Sequence, residues 1–341
     1  MGKAMEFGIF DHLDRGGAQL RECYDMRLKL IESYDRAGFY AYHVAEHHST
    51  PLGLAPSPGL FLSAAAQRTQ HLKLATLVYA MPLHHPLRLI EEICMLDQMS
   101  GGRFEMGFGR GSSPIELEYF GVNPEDSPRD YAEGLEIILQ GLRERTVNAK
   151  SRAHAINDVP MELAPFQKPH PPIWYGVHSL ESAEKAARGA FNIACNEPAE
   201  TSAQYIRQFK ETWLQAHGAE AAMPKIGATH FVVTADTDAE ALEIARRAYL
   251  VWHKSFHFLF KRHGRTARLS GGEADFDALC ARGKGVAGTP DKVIAFLKKR
   301  MGTSGANYCI NRFAFGDITL DEAQHSVEMY TRHVMPELRS L

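Results

Sequence analysis

Residues 87–111 read LRLIEEICMLDQMSGGRFEMGFGRG. The first half carries a helical pattern over 87–99. After Ser100-Gly101-Gly102 comes a short apolar run, 103–109, that reads as a strand. The strand ends in Gly107-Phe108-Gly109-Arg110-Gly111, glycines around a single arginine. A helix that passes to a short strand and then to a glycine-rich loop is the repeating unit of an α/β fold.

Working outward, the same unit recurs along the chain. Apolar runs rich in β-branched and aromatic residues predict strands near 6–11, 41–46, 72–79, 103–109, 172–177, 191–195, 227–234 and 307–313. Helical patterns lie near 24–37, 60–68, 87–99, 129–142, 180–188, 201–217, 239–252, 291–300 and 320–334. In the first of these Leu28, Ile31 and Tyr34 share one face, and Gly38 marks the stop. Strand and helix alternating to a count near eight predict an α/β protein with one (β/α)8 TIM barrel spanning 1–341. A doubly wound open sheet is the alternative, with a smaller usual strand count. In barrels the active site lies where the strands end, so function is sought just after each strand.

Composition bounds the function. The chain has 341 residues, 45% hydrophobic and 23% charged, enough for a large core. The formal net charge of -3 argues against nucleic acid as a partner. Cys23, Cys94, Cys195, Cys280 and Cys309 are scattered with no CxxC spacing, so a disulfide framework or a structural zinc site is not expected. The start, MGKAMEFGIFDHLD, lacks a signal-peptide apolar run, and no apolar stretch approaches the roughly 20 residues of a membrane span. A soluble, cytoplasmic protein is expected. Two segments interrupt the alternation. Residues 143–171 are polar and then proline-rich, ending in Gln167-Lys168-Pro169-His170-Pro171-Pro172, which forbids helix there. Residues 256–287 hold Lys261-Arg262-His263-Gly264-Arg265, Gly271-Gly272 and Arg282-Gly283-Lys284-Gly285. This basic, glycine-rich segment reads as a lid or a solvated surface excursion.

Four constellations at strand ends could carry chemistry. Glu46-His47-His48 follows the second strand, and His84-His85-Pro86 the third. Side chains alternate along a strand, so His47 and His48 cannot both line one pocket unless the strand has ended. One of such a pair is ordinarily a packed histidine. A metal hydrolase would use these histidines with Asp11, but no HxH and no late aspartate completes a ligand set. Gly107–Gly111 resembles part of GxGxxG with the wrong spacing. Its content is close backbone approach and one cation for an anion. His178-Ser179-Leu180-Glu181-Ser182 opens a helix, with Ser179 as N-cap and Ser182 at N3. It is either a plain cap or a phosphate cradle, to which Arg110 could add charge.

Together these pieces resemble the bacterial luciferase family of flavin monooxygenases. The matching residues are Phe7-Gly8-Ile9-Phe10, Ala45-Glu46-His47-His48, Pro82-Leu83-His84-His85-Pro86-Leu87-Arg88, the run Leu96–Phe104 into Gly107–Gly111, Gln167–Pro172 with Ile173-Trp174, Glu181–Ala187, and Gly288-Thr289-Pro290. The resemblance covers nearly the whole chain, and its specific part is Leu96–Phe104 with the glycine-arginine continuation. It implies reduced FMN in the barrel mouth, with the phosphate on Arg110, Ser179 and Ser182, and with Leu77, Val78, Val177 and His178 as further contacts. It implies a non-prolyl cis peptide at Leu77-Val78. His47 aligns with the family's catalytic histidine, which serves a C4a-peroxyflavin formed with O2. Glu46, His48, His85 and Glu91 would orient or support that site, and the lid would exclude water.

The resemblance further implies a two-component enzyme and a homodimer. A separate NAD(P)H-dependent flavin reductase would supply FMNH2. The substrate would be a small aldehyde, alkane or ketone, with Phe10, Tyr79, Phe108 and Trp174 facing flat or apolar ligands or else forming barrel core. No metal is implied. F420-dependent hydride transfer and a catalytically silent flavin-binding protein are the alternatives. Luciferases proper carry a reactive cysteine where this chain has Gly109. Its absence removes a thiol, enlarges the space beside the flavin and argues against light emission.

Overall fold

Parallel strands close into a ring in the computed structural model, which describes residues 4–267 and 274–339. The barrel strands are β1 (Glu6–Asp11), β2 (Ala41–Val44), β3 (Lys73–Thr76), β4 (Phe104–Gly109), β5 (Ile173–Val177), β6 (Asn192–Cys195), β7 (Ile226–Thr234) and β8 (Tyr308–Arg312). Each pairs in parallel with the next, and β8 returns to β1 with Glu6 opposite Tyr308 and Phe7 opposite Cys309. Closure excludes the open doubly wound sheet and gives the (β/α)8 barrel. The strands read as unbroken apolar runs because helices cover one face and the barrel interior the other. Inside pack Phe10, Ala75, Trp174, Tyr308 and Ile310. Glycine is required at position 8, where a Cβ would sit 1.8 Å from the Tyr308 hydroxyl. Among the described residues no helix is long and apolar enough to cross a membrane.

The most recognisable motif is scaffold. Arg103, just before β4, donates through Nε to the Ser100 carbonyl (2.9 Å), through Nη1 to Thr69 Oγ1 (2.8 Å) and the Leu72 carbonyl (3.0 Å), and through Nη2 to the Ala66 carbonyl (2.8 Å). It thereby satisfies carbonyls at two helix ends, Ala66 of helix Pro58–Ala66 and Ser100 just past helix Pro86–Met99. Asp97, fully buried, accepts from the Gln167 backbone N–H and side-chain amide, both at 2.8 Å. The two partners lie 70 residues apart in sequence, so the pair fastens the chain as it returns to β5.

Four local expectations change. The third strand does not run through 72–79. It stops at Thr76, a cis peptide follows at Leu77-Val78, and Tyr79–Ala80 resumes the pairing beside Phe108–Gly109. Residues 143–171 contain an antiparallel hairpin, Thr146–Lys150 with Ala155–Pro160, whose mixed polarity hid its period. Within 256–287 lie helices Phe258–Arg262 and Phe276–Ala281. A strand, Gly285–Gly288, pairs with residues 231–234 of β7 beyond the end of β6. Gly271-Gly272 lies outside the described residues. The first helix, Leu20–Arg36, begins four residues earlier than the apolar pattern indicates, because Gln19 and Glu22 form a capping box ahead of it.

Candidate active site

The barrel mouth holds a cavity of about 220 Å³. Phe10 from β1 and His12 just past it, Glu46 and His47 after β2, and the Leu77-Val78 segment after β3 line one side. Asn196 after β6, Thr229 within β7 and Arg312 ending β8 line the other. Phe256, Leu259, Phe260 and Ala267 roof it, which brings part of the 256–287 segment over the site.

Two carboxylates organise the histidines, because β2 ends at Val44 and frees the next residues from strict alternation. Glu46 accepts from His48 Nε2 (2.7 Å), His84 Nε2 (2.9 Å) and the Ala80 N–H (3.0 Å). Burial would raise its pKa, but the bonds from His48, His84 and Ala80 outweigh it and bring it down to about 2. The His84 imidazole moves the other way: burial lowers it, yet the bond and charge of Glu46 leave it raised. Glu116, on helix Pro114–Tyr119, accepts from His47 Nδ1 (3.1 Å) and from the His48 backbone N–H (2.9 Å). A neutral His47 therefore carries its proton on Nδ1 and keeps Nε2 as an acceptor.

His12 and Arg312 were not singled out by the sequence. The Trp252 indole N–H donates to His12 Nδ1 at 3.3 Å, so a neutral His12 carries its proton on Nε2. Burial, with the charge of Arg312 and the proximity of His47, holds the His12 pKa well below its ordinary 6.5. Its ring lies 5.6 Å from that of His47. His12 is the first residue past β1, so the strand-end rule that picked out His47 would have found it.

The candidate residues divide. His47, Leu77, Val78 and His178 line the cavity. His48 does not; its ring packs 4.7 Å from Phe120 and its Nε2 serves Glu46. His85 is a correction. It caps helix Pro86–Met99 in a separate groove, 4.8 Å from His154, because the turn Met81–Leu83 swings His84 rather than His85 toward Glu46. Glu91 is exposed, and its neighbour Glu92 accepts from the Tyr79 hydroxyl at 2.9 Å. Val177 is buried in the core, while Gly176 and His178 face the cavity. His178 Nδ1 lies 2.7 Å from Glu197 Oε1.

Arg110 lies in an adjoining groove that shares Gly111, Ser112 and Phe260 with the cavity. Burial and then the charge of Arg110 lower the pKa of Lys185, which sits in the last turn of the helix that Ser179 opens with its Nζ 4.5 Å from the Tyr131 ring. Ser179 and Ser182 cap each other: Ser179 Oγ accepts from the Ser182 N–H (3.1 Å) and Ser182 Oγ from the Ser179 N–H (2.9 Å).

Packing bears on three further readings, and overturns the last of them. Tyr79, Phe108 and Trp174 are barrel core, leaving Phe10 as the aromatic of that group in the cavity. Asp11 is held by Arg27 Nε (3.1 Å) and the Tyr42 hydroxyl (2.8 Å), so it is not available as a metal ligand. Among the described residues no group of three or more His, Cys, Asp or Glu could hold a metal ion. Gly109 does not enlarge the space: a Cβ there would lie 2.5 Å from Val78 Cγ2, so the room left by the missing side chain is filled by Val78.

With this geometry in place, comparison with known proteins is informative. The family model described as luciferase-like monooxygenase matches residues 5–314. The chain is 40% identical to the protein y4wF of Sinorhizobium fredii, over 94% of both chains. Among solved structures it is similar to the monooxygenase RslO1 of Streptomyces bottropensis, with a TM-score of 0.88 and 26% identity over 97% of this chain and 99% of that one. The oxygenating constituent of 3,6-diketocamphane monooxygenase from Pseudomonas putida, in complex with FMN, shares the fold. Its TM-score is 0.82 at 22% identity, covering 98% of this chain and 99% of that one.

Proposed function

The chain belongs to the luciferase-like monooxygenase family, and from that premise we propose that it is the oxygenase of a two-component system. It takes reduced FMN from a separate NAD(P)H-dependent reductase and inserts one atom of O2 into a small organic substrate. The observation that carries this reading is the cavity where the strands end, with His47 held by Glu116 beside Leu77-Val78 and Arg110 in the adjoining groove. An arginine in that groove, together with the free N–H groups in the first turn of the helix that Ser179 opens, suits a phosphate. Because the two serine hydroxyls are spent on capping, the backbone N–H groups of Leu180 and Glu181 would be the donors, with Arg110 supplying the charge.

The ring would lie over the cavity, against Leu77-Val78 and within reach of His47. When bound, reduced flavin supplies the two electrons that split O2, one atom going to substrate and the other to water. The chain's own residues do the rest. Glu116 fixes His47 so that Nε2 can hold or move a proton at the reacting centre. Glu46 anchors the Ala80 N–H and so the segment after the cis bond. Phe256, Leu259 and Phe260 exclude water, which would divert the reduced flavin and O2 to H2O2.

Anaerobic titration with photoreduced FMN, followed by O2, tests this. Arg110→Ala should weaken reduced-FMN binding by roughly 1.5–3 kcal/mol, the scale of a charge-assisted hydrogen bond. Unchanged affinity dismisses the phosphate assignment. His47→Ala should keep the flavin yet release more H2O2 per flavin oxidised, and unaltered coupling removes its catalytic role. Tighter binding of reduced F420 than of reduced FMN would favour hydride transfer instead.

A further inference from the structure

The wall of the cavity opposite the glutamate-bound histidines carries a buried arginine and an asparagine, Arg312 and Asn196. Arg312 is 6% exposed and lines the cavity. Its guanidinium sits 4.7 Å from the Phe10 ring and 4.6 Å from the Phe231 ring. Its Nη2 donates to Asn196 Oδ1 at 3.1 Å and, more weakly, to Thr229 Oγ1 at 3.5 Å. Its Nε has no partner, and no carboxylate pairs with it among the described residues. Burial, with Arg300 nearby, pushes its pKa down to about 9. Lys284, close behind, is pushed down to about 8 by burial and then by Arg312. A buried guanidinium with aromatic faces, one amide oxygen and one hydroxyl but no anion among the described residues is poorly compensated.

The neighbours sharpen the chemistry. Thr229 Oγ1 donates to Asn196 Oδ1 at 2.7 Å, so that oxygen already receives two donors and the Asn196 amide presents its N–H groups elsewhere. His12 accepts on Nδ1 from Trp252 and is left with a donor on Nε2. Asn196, His12 and Arg312 all line the same cavity. Three side chains with donors thus border one cavity, while Glu46 and Glu116 are occupied by histidines on the β2 side. The rest of the cavity is apolar, through Leu52, Phe256, Leu259 and Phe260.

We propose that Arg312, Asn196 and His12 form a substrate subsite for an organic anion, a small apolar body carrying one carboxylate or ionised enol or phenol oxygen. The proposal rests on the reading of this cavity as the oxygenation chamber. Arg312 ends β8, diametrically across the eight-strand ring from β4, whose end carries Arg110. An anion at Arg312 is therefore distinct from the cofactor phosphate. Charge complementarity, rather than shape alone, would select the substrate.

The test uses benzoate, phenylacetate and octanoate against benzamide, phenylacetamide and octanamide, measured by calorimetry on the full chain with and without FMN. At least one acid should bind about tenfold or more tighter than its amide, the scale of one charge-assisted contact. Arg312→Met should bring that preference to within about twofold while changing FMN affinity by less than about twofold. Arg312→Lys should retain part of it. Removing an uncompensated charge should leave the Arg312→Met melting temperature at or above that of the parent. Should that variant fail to fold, the parent's acid preference and Arg312→Lys decide the matter. Equal binding of acids and amides by the parent overturns the proposal. So does an acid preference that survives Arg312→Met, or a loss confined to FMN, which would make Arg312 a flavin contact. Failure of the parent to bind FMN or reduced FMN would instead sink the proposed function, leaving the acid preference to stand or fall alone.

Discussion

Replacing Glu46 with glutamine should cost stability in a way that pH reveals. Its carboxylate receives three donors, from His48, His84 and Ala80, at 2.7–3.0 Å. The carboxyl is brought from its ordinary 4.5 down to about 2. At about 1.4 kcal/mol per pH unit, the folded state favours the charged form by about 3 kcal/mol. In Glu46→Gln an NH2 group must face at least one of those donors, so most of that is lost. Because the folded state holds the carboxylate charged, the contribution is full above pH 4.5 and disappears as pH falls from there through about 2. His84 runs in the opposite sense. Its imidazolium is favoured by Glu46, so its share is full below its ordinary 6.5 and is lost as pH rises through the raised value. Urea unfolding of parent and Glu46→Gln, followed from pH 7 to pH 3.5, measures the difference. It should be about 2–4 kcal/mol at pH 6 and narrow steadily below pH 4.5. A gap under about 0.5 kcal/mol at pH 6, or one that is flat with pH, refutes the three-donor carboxylate.

Other substitutions separate scaffold from site. Gly109→Ala should destabilise by about 1–3 kcal/mol in thermal unfolding, since its methyl meets Val78 Cγ2 at 2.5 Å; a neutral effect would show that the Leu77-Val78 segment moves freely. Arg103→Ala should lower the melting temperature through the loss of four bonds to Ser100, Thr69, Leu72 and Ala66, yet leave flavin affinity unchanged, as checked by FMN titration. Glu116→Gln should retain FMN but raise H2O2 release relative to product, because His47 loses the carboxylate that fixes its tautomer. Normal coupling in that variant would assign Glu116 to packing alone.

What the sequence determined by itself is what short-range order can carry. The alternation of short apolar runs with helical patterns needs only neighbouring residues, and it led to the closed barrel and to the rim as the place for the site. The run Leu96–Phe104 pointed to the family, although its Arg103 and Asp97 serve helix ends and the returning chain rather than chemistry. Hydrophobic period does not say which of two adjacent histidines turns inward once a strand has ended. His47 was named through the family resemblance alone, and His84 rather than His85 reaches the cluster only through a turn at Met81–Leu83. Ring closure decided the rest. His12, Asn196 and Arg312 are separated by most of the chain, and β1, β6 and β8 set them around one cavity. A buried arginine at the end of an apolar strand has no sequence period of its own; its meaning comes from the missing counter-charge around it, which exists only once the barrel has formed.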